Sequence, residues 1–191
     1  MEKEVYSLGG PCGAGKDTIA KAIVDRFPGK IIRFPRITTR APRVGEHNGV
    51  EYDFVSEDLF GEKKELGKIV ATDSAGVAWY GIHLENLNHM ILNGSPSKIL
   101  IVGGICGIRL KEFIPGVKNI YITADIGELI QRLLYRGHRG DDFHKRLHWI
   151  HAQLAQEPKL FDAVIENHQD RLEETVCAVE KIMNFSPVAH V

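Results

Sequence analysis

Short apolar runs alternate with longer segments of helical period along the chain. Val5-Tyr6-Ser7-Leu8 is an apolar run that opens into the glycine-rich stretch Gly9 to Gly15. From Lys16 to Phe27, Ile19, Ala20, Ile23, Val24 and Phe27 recur on one side, which predicts an amphipathic helix. Ile31 to Phe34 reads as a second strand, and Val50 to Val55 alternates as a strand does. Asp58 to Gly67 predicts a short helix, Lys68 to Thr72 a strand and His83 to Leu92 a helix. Lys98 to Val102 is almost wholly apolar, hence a buried strand, and it runs into Gly103-Gly104. Val117 to Ile122 and Ala163 to Ile165 predict further strands. Ile126 to Tyr135, Asp142 to Gln156 and Arg171 to Met183 predict helices. Buried strands alternating with helices specify an α/β fold with a parallel sheet covered on both faces. The polar, Pro- and Arg-rich stretch from Pro35 to Asn48 has no period. It begins an insertion of about 60 residues between two core strands, long for a connection and therefore functional.

Composition narrows the class. The 191 residues are enough for one core, at 43% hydrophobic and 26% charged. A formal net charge of −1 supplies no basic field for nucleic acid, so anion binding must come from local clusters. Cys12, Cys106 and Cys177 lie far apart, without disulfide or zinc spacing. The charged start, Met1 to Glu4, lacks a secretory pattern, and no run is long enough to span a membrane. A cytoplasmic protein, monomeric or homodimeric, with no nucleic-acid or membrane partner, is the expectation.

The candidate chemistry starts at Gly10-Pro11-Cys12-Gly13-Ala14-Gly15-Lys16, which is G-x-x-x-x-G-K between a strand and a helix. Glycines let several backbone N–H groups converge on one anion, the helix start adds its dipole, and Lys16 brings a mobile cation. The position after the lysine, ordinarily Ser or Thr on Mg²⁺, is Asp17, with Thr18 behind it. A carboxylate there is a hard ligand for Mg²⁺; equally, it caps the first helical turn. Further on, Arg40 and Arg43 stand three apart on a Pro-stiffened turn, with Tyr52 at the next strand. Two guanidinium forks and a phenol suit a phosphate dianion.

The segment Thr38-Thr39-Arg40-Ala41-Pro42-Arg43-Val44-Gly45-Glu46-His47-Asn48-Gly49 with Tyr52, Phe54, Val55 and Ser56 resembles the guanylate kinases. So do Trp79-Tyr80-Gly81, Arg132 to Gly137, Lys145-Arg146-Leu147 and Val164-Ile165-Glu166-Asn167. The resemblance implies a P-loop NTPase fold in one domain: a core of residues 1–34, 96–131 and 157–191, an inserted acceptor-binding lobe at 35–95 and a helical lid at 132–156. It implies ATP and Mg²⁺ as cofactors and a small phosphorylated acceptor. Gly10, Cys12, Gly13, Ala14, Gly15, Lys16, Asp17, Thr18 and Asn167 would hold the nucleotide, with Asp17 on the metal. Lys16, Arg132, Arg136 and Arg146 would act on the transferring group. Arg36, Arg40, Arg43, Tyr52, Ala71, Tyr80 and Gly81 would form the acceptor site. Arg132 and Arg136, four apart on a predicted helix, would share a face.

Several positions depart from that family. Its guanine-contacting glutamate falls at Ala71, its guanine-contacting serine at Arg36 and its Ser/Thr after Tyr-Gly at Ile82. Asp73 could serve instead only along a different backbone path. Its aspartates after the core strand fall at Val102 and Gly104. Loss of polar partners for a base predicts loss of discrimination. Gly-Lys-Asp and the missing glutamate also resemble the ribose 1,5-bisphosphate phosphokinases, so a sugar phosphate is an alternative acceptor. A non-catalytic nucleotide-binding or interaction module is a third reading. His144, His148 and His151 line one helical face, read as a polar surface in preference to a metal site.

Overall fold

The structure is a computed structural model of the 191-residue chain, and it describes residues 4–74, 78–93 and 98–185. The start Met1 to Lys3, and the stretches 75–77, 94–97 and 186–191 within the expected lobe and core, lie outside the described residues. A five-stranded parallel sheet runs in the order β2-β7-β1-β8-β9. Its strands are β1 (Glu4–Gly9), β2 (Ile31–Phe34), β7 (Lys98–Val102), β8 (Lys118–Thr123) and β9 (Ala163–Glu166). The middle strands are apolar on both faces because helices cover both. Helix α1 (Lys16–Arg26) buries Ile19, Ala20 and Ile23 against Tyr6, Leu8 and Leu100 on one face. On the other, Val5, Phe34, Ile99 and Ile101 pack with α3 (Leu84–Asn93), through Leu87, and α4 (Cys106–Leu110).

A second, four-stranded sheet has the order β4-β3-β6-β5, built from β3 (Arg36–Thr38), β4 (Tyr52–Phe54), β5 (Ile69–Ser74) and β6 (Trp79–His83). Helix α2 (Glu57–Glu65) packs on it through Phe60, with Ser56 Oγ accepting from Leu59 N at 3.2 Å as its N-cap. The predicted helices recur, two of them with shifted starts: α5 (Ile126–Tyr135), α6 (Gly140–Gln156) and α7 (Leu172–Ile182). Four elements were not in the sequence reading: β3, β6, α4 and a 3₁₀ turn at Glu157–Leu160. β3 has three residues, one a buried arginine, so no period could show it. The stretch from 78 onward was expected to carry only a motif, yet Trp79–His83 pairs with both β3 and β5. Among the described residues, no helix is long and apolar enough to cross a membrane.

In an open parallel sheet, ligands seat beyond the carboxyl ends of the strands. Here that edge carries the loop after β1, Gly103-Gly104 after β7, and the approach of the second sheet.

Candidate active site

The loop between β1 and α1 turns inward as its glycines permit. Gly10 has φ 130°, and a Cβ there would run into the Ile122 carbonyl of β8. Gly15, at φ 90°, caps α1 and lies directly against Asn167 Nδ2. Lys16 Nζ donates to the carbonyls of Gly10 at 2.7 Å and Pro11 at 2.8 Å, so the ammonium is folded into its own loop. Burial pulls its pKa below the usual lysine value, against the opposing pull of Cys12, Asp17 and Glu157. From beneath, Asn167 Nδ2 donates to Ala14 O at 2.8 Å, and its Oδ1 accepts from Thr175 Oγ1 at 3.2 Å. Arg132 donates to Gly13 O at 3.1 Å, to Asn167 O at 3.1 Å and to Glu128 at 2.6 Å. The loop is thus held from outside, by Asn167 and Arg132.

Two carboxylates lie beside Lys16. Asp17 Oδ1 accepts from Arg33 Nη2 at 2.6 Å. Burial alone would raise its pKa, but Arg33 and Lys16 hold it below the ordinary carboxylate range. Glu157 is 9% exposed and lies by the Tyr121 hydroxyl; its Oε1 accepts from Gln153 Nε2 at 3.0 Å, and its buried Oε2 meets no hydrogen-bond donor in good geometry among the described residues. Burial pushes its pKa above the usual value, with Asp73 adding to the rise and Gln153 and Lys16 opposing it. An acid whose folded pKa is raised costs stability once ionised. That cost is absent below the ordinary 4.5 and grows as pH rises through the folded value. Glu157→Gln should therefore melt above the wild type at neutral pH, with the gap closing near about pH 4. Melting curves across pH check this; a lower midpoint at neutral pH contradicts it.

The acceptor side is built on the second sheet. Arg40 meets Glu46 fork to fork, with both N–O distances 2.9 Å, and Glu46 also accepts from Arg43 N at 2.7 Å. Arg40 lies 5.2 Å over the Tyr52 ring, and Tyr52 packs edge-on to Tyr80 at 6.0 Å. Glu46 therefore fixes one fork and the turn that carries the other. Arg36, 2% exposed, donates from Nη2 to Asp73 Oδ1 at 2.7 Å and sits 5.1 Å over Tyr80. From α6, Arg146 Nε donates to both Asp142 oxygens at 3.0 Å, and His138 Nδ1 is 2.6 Å from the same carboxylate.

One cleft joins these parts. Of the sequence-predicted residues it is lined by Gly10, Cys12, Gly13, Gly15, Lys16, Asp17 and Thr18 on the loop, and by Arg36, Arg40, Arg43, Tyr52 and Tyr80 on the second sheet. Arg136 and Arg146 line it as well. Five predicted residues do not line it. Ala14 is buried in the core and contributes only the carbonyl that Asn167 holds. Asn167 braces the loop from behind, and so does Arg132. Arg136 stands past the end of α5 as its C-cap, which is why the two arginines do not share a face. Gly81 is enclosed by Ile37, Ile69 and Thr72, where a side chain would crowd the sheet. Ala71 packs among Val70, Ile82 and Leu87 at φ 50°. The cleft also takes Asp73, which the sequence raised only as a substitute, and residues it did not single out, chiefly Arg109, Trp149 and Glu157. Buried and exposed carboxylates look alike in a sequence, so no signal marked Glu157. No group of three or more His, Cys, Asp or Glu side chains converges as a metal cage among the described residues.

Comparison with known proteins agrees with this geometry. The family model for guanylate kinase matches residues 2–186. A guanylate kinase of Synechococcus sp. (strain CC9311) is 31% identical over 182 residues, 94% of this chain and 93% of that protein. One of Frankia casuarinae is 32% identical, over 86% of this chain and 89% of its own. The crystal structure of guanylate kinase from Anaplasma phagocytophilum superposes with a TM-score of 0.74 at 23% identity, over 95% of this chain and 84% of that one. A shikimate kinase from Bacteroides thetaiotaomicron gives 0.54 at 15% identity, over 95% and 99%. The parallel sheet with its phosphate loop is a P-loop NTPase fold, and the chain belongs to the guanylate kinase family.

Proposed function

We propose that this chain transfers the terminal phosphoryl group of ATP to the phosphate of a nucleoside monophosphate, with GMP the acceptor. The observation that carries this reading is the single cleft that joins the phosphate loop to the Arg40–Arg43–Tyr52–Tyr80 cluster. It supports a division of labour among a core, an acceptor lobe and a lid. Loop amides and Lys16 hold the donor's β- and γ-phosphates once the ammonium leaves the Gly10 and Pro11 carbonyls. Arg40 and Arg43 take the acceptor phosphate, with the tyrosines as donors, so the two polyanions meet end to end. Arg136 and Arg146 offer cations to the equatorial oxygens, where charge concentrates during transfer. No protein nucleophile is needed, and positioning supplies the rate.

The residues present fit a magnesium ion entering with the nucleotide. Asp17 is held ionised beside Lys16, and the unpartnered Glu157 Oε2 is a second hard acceptor on the same cleft. The ion would neutralise phosphate charge and orient the β- and γ-groups. The test is ATP consumption, with Mg²⁺, across GMP, dGMP, AMP, UMP and ribose phosphates. Turnover with GMP or dGMP is expected. Turnover with ribose phosphates alone would replace this reading with a sugar-phosphate kinase, and none with any acceptor would leave a binding module.

A further inference from the structure

We infer that Arg33 is a positioning residue for the transfer: one guanidinium, at the junction of the two sheets, ties the donor-side Asp17 to the acceptor-side Tyr52 and holds the two reactants in register. The inference rests on the kinase reading above and adds to it a residue that stands behind the cleft.

β2 is an edge strand of the core sheet, and the chain leaves it for the second sheet through Phe34-Pro35-Arg36. Successive side chains of a strand point to opposite faces. Ile31 packs on the α1 side of the sheet and Phe34 on the other. Arg33, two residues after Ile31, therefore stands on the α1 side. It is the last residue of β2 to do so before the acceptor lobe begins.

From there the side chain reaches both ways. Its Nη2 donates to Asp17 Oδ1 at 2.6 Å, in the first turn of α1. The same guanidinium lies 5.8 Å from the centre of the Tyr52 ring, within reach of a cation–π contact. Tyr52 is paired with Arg36 across β3 and β4, so it belongs to the acceptor lobe. Asp17 and Tyr52 both line the cleft; Arg33 is not among the lining residues and acts through them. Burial, with Asp17 adding to it, pushes the pKa of the Tyr52 hydroxyl up to about 12, while Arg36 and Arg33 oppose the rise. The phenol thus remains a hydrogen-bond donor through the neutral range. The second sheet is tied to the core at both its edges. Arg109 on α4 donates to the Thr72 carbonyl of β5, and Arg33 holds β4 at Tyr52.

This placement does little for the fold. The Arg33 side chain is 14% exposed, and its buried Nε has no hydrogen-bond partner among the described residues. An unmet buried N–H costs stability. The Asp17 side chain is 54% exposed, so water would solvate it if Arg33 were gone. What Arg33 supplies is a fixed spacing between the two ends of the reaction. The phosphoryl group passes between two oxygens that must lie in line. A displacement of about 1 Å between reactants can cost about 10²-fold in rate.

Arg33→Met and Arg33→Lys in the full chain test this, with ATP and GMP titrated separately by calorimetry and kcat measured with both present. Arg33→Met should melt within a few degrees of wild type. It should bind each nucleotide within about 5-fold of wild type and lose about 10–10²-fold in kcat. Arg33→Lys, a cation of similar reach, should recover most of that loss. Arg33→Met combined with Asp17→Asn should lose less than the product of the two single losses, because the arginine works through the carboxylate. Arg33→Gln, polar and of similar length, repeats the comparison with Lys should the methionine variant melt low. A wild-type kcat in Arg33→Met, equal rates in the uncharged and lysine variants, or fully multiplicative losses in the double variant would each overturn the inference and leave the kinase reading intact. A wild type that turns over no acceptor at all would remove both.

Discussion

Lys16→Ala is expected to lower kcat by about 10²–10³-fold, the cost of removing one preorganised charge from a developing anion, or more. The folded state should barely register the change. Among the described residues Lys16 Nζ donates to the Gly10 and Pro11 carbonyls, and burial already works against its charge. The main chain that shapes the loop is held independently, through Asn167 on Ala14 and Arg132 on Gly13. Thermal melting of the variant should therefore fall within a few degrees of wild type, while ATP consumption with GMP collapses. A variant that turns over like its parent would remove the phosphate loop from the mechanism. One that unfolds would show that the lysine props the loop, contrary to the bonds observed.

The loop and the arginine turn were legible in the sequence because each chemistry is contiguous. G-x-x-x-x-G-K and the Arg40–Arg43 pair need only neighbouring residues to be recognised. What stayed hidden was set by contacts between distant segments. The family's glutamate was placed at Ala71 by its spacing from Tyr80, and that placement took β5 as a regular strand, whereas β5 bulges between Val70 and Asp73. Nothing announced the bulge, since its left-handed residue is an alanine and not a glycine. Asp73 was visible as a carboxylate, and its place opposite Tyr80 follows from the one-residue slip against β6. Arg132 and Arg136 were paired by helical spacing, but α5 stops between them, at Tyr135. Asn167 was expected among the residues that hold the nucleotide; the structure puts its amide under the loop. Glu157 lies 141 residues from Lys16 and meets the cleft only where α6 gives way to the 3₁₀ turn.

Arg36→Met should be the most destabilising single change at the site. It leaves Asp73, itself 7% exposed, as a buried charge without a counterion, a loss of about 3–5 kcal/mol in comparable pairs. For a chain of this length that is a midpoint drop of roughly 6–20 °C. The intact pair is a weak source of stability by the same reasoning, because burying two charges forfeits their hydration and Arg36 Nε has no hydrogen-bond partner among the described residues. The double variant Arg36→Met with Asp73→Leu should therefore recover at least about half of the loss, a coupling of roughly 1–3 kcal/mol for residues in direct contact. Urea denaturation of wild type, both single variants and the double variant measures it. An Arg36→Met variant within about 1 kcal/mol of wild type would show that Asp73 is not left as a buried charge. The recovered double variant carries the sharper consequence. It should fold and keep ATP affinity, because the pair is replaceable for the fold and stands on the second sheet, away from the loop that holds the nucleotide.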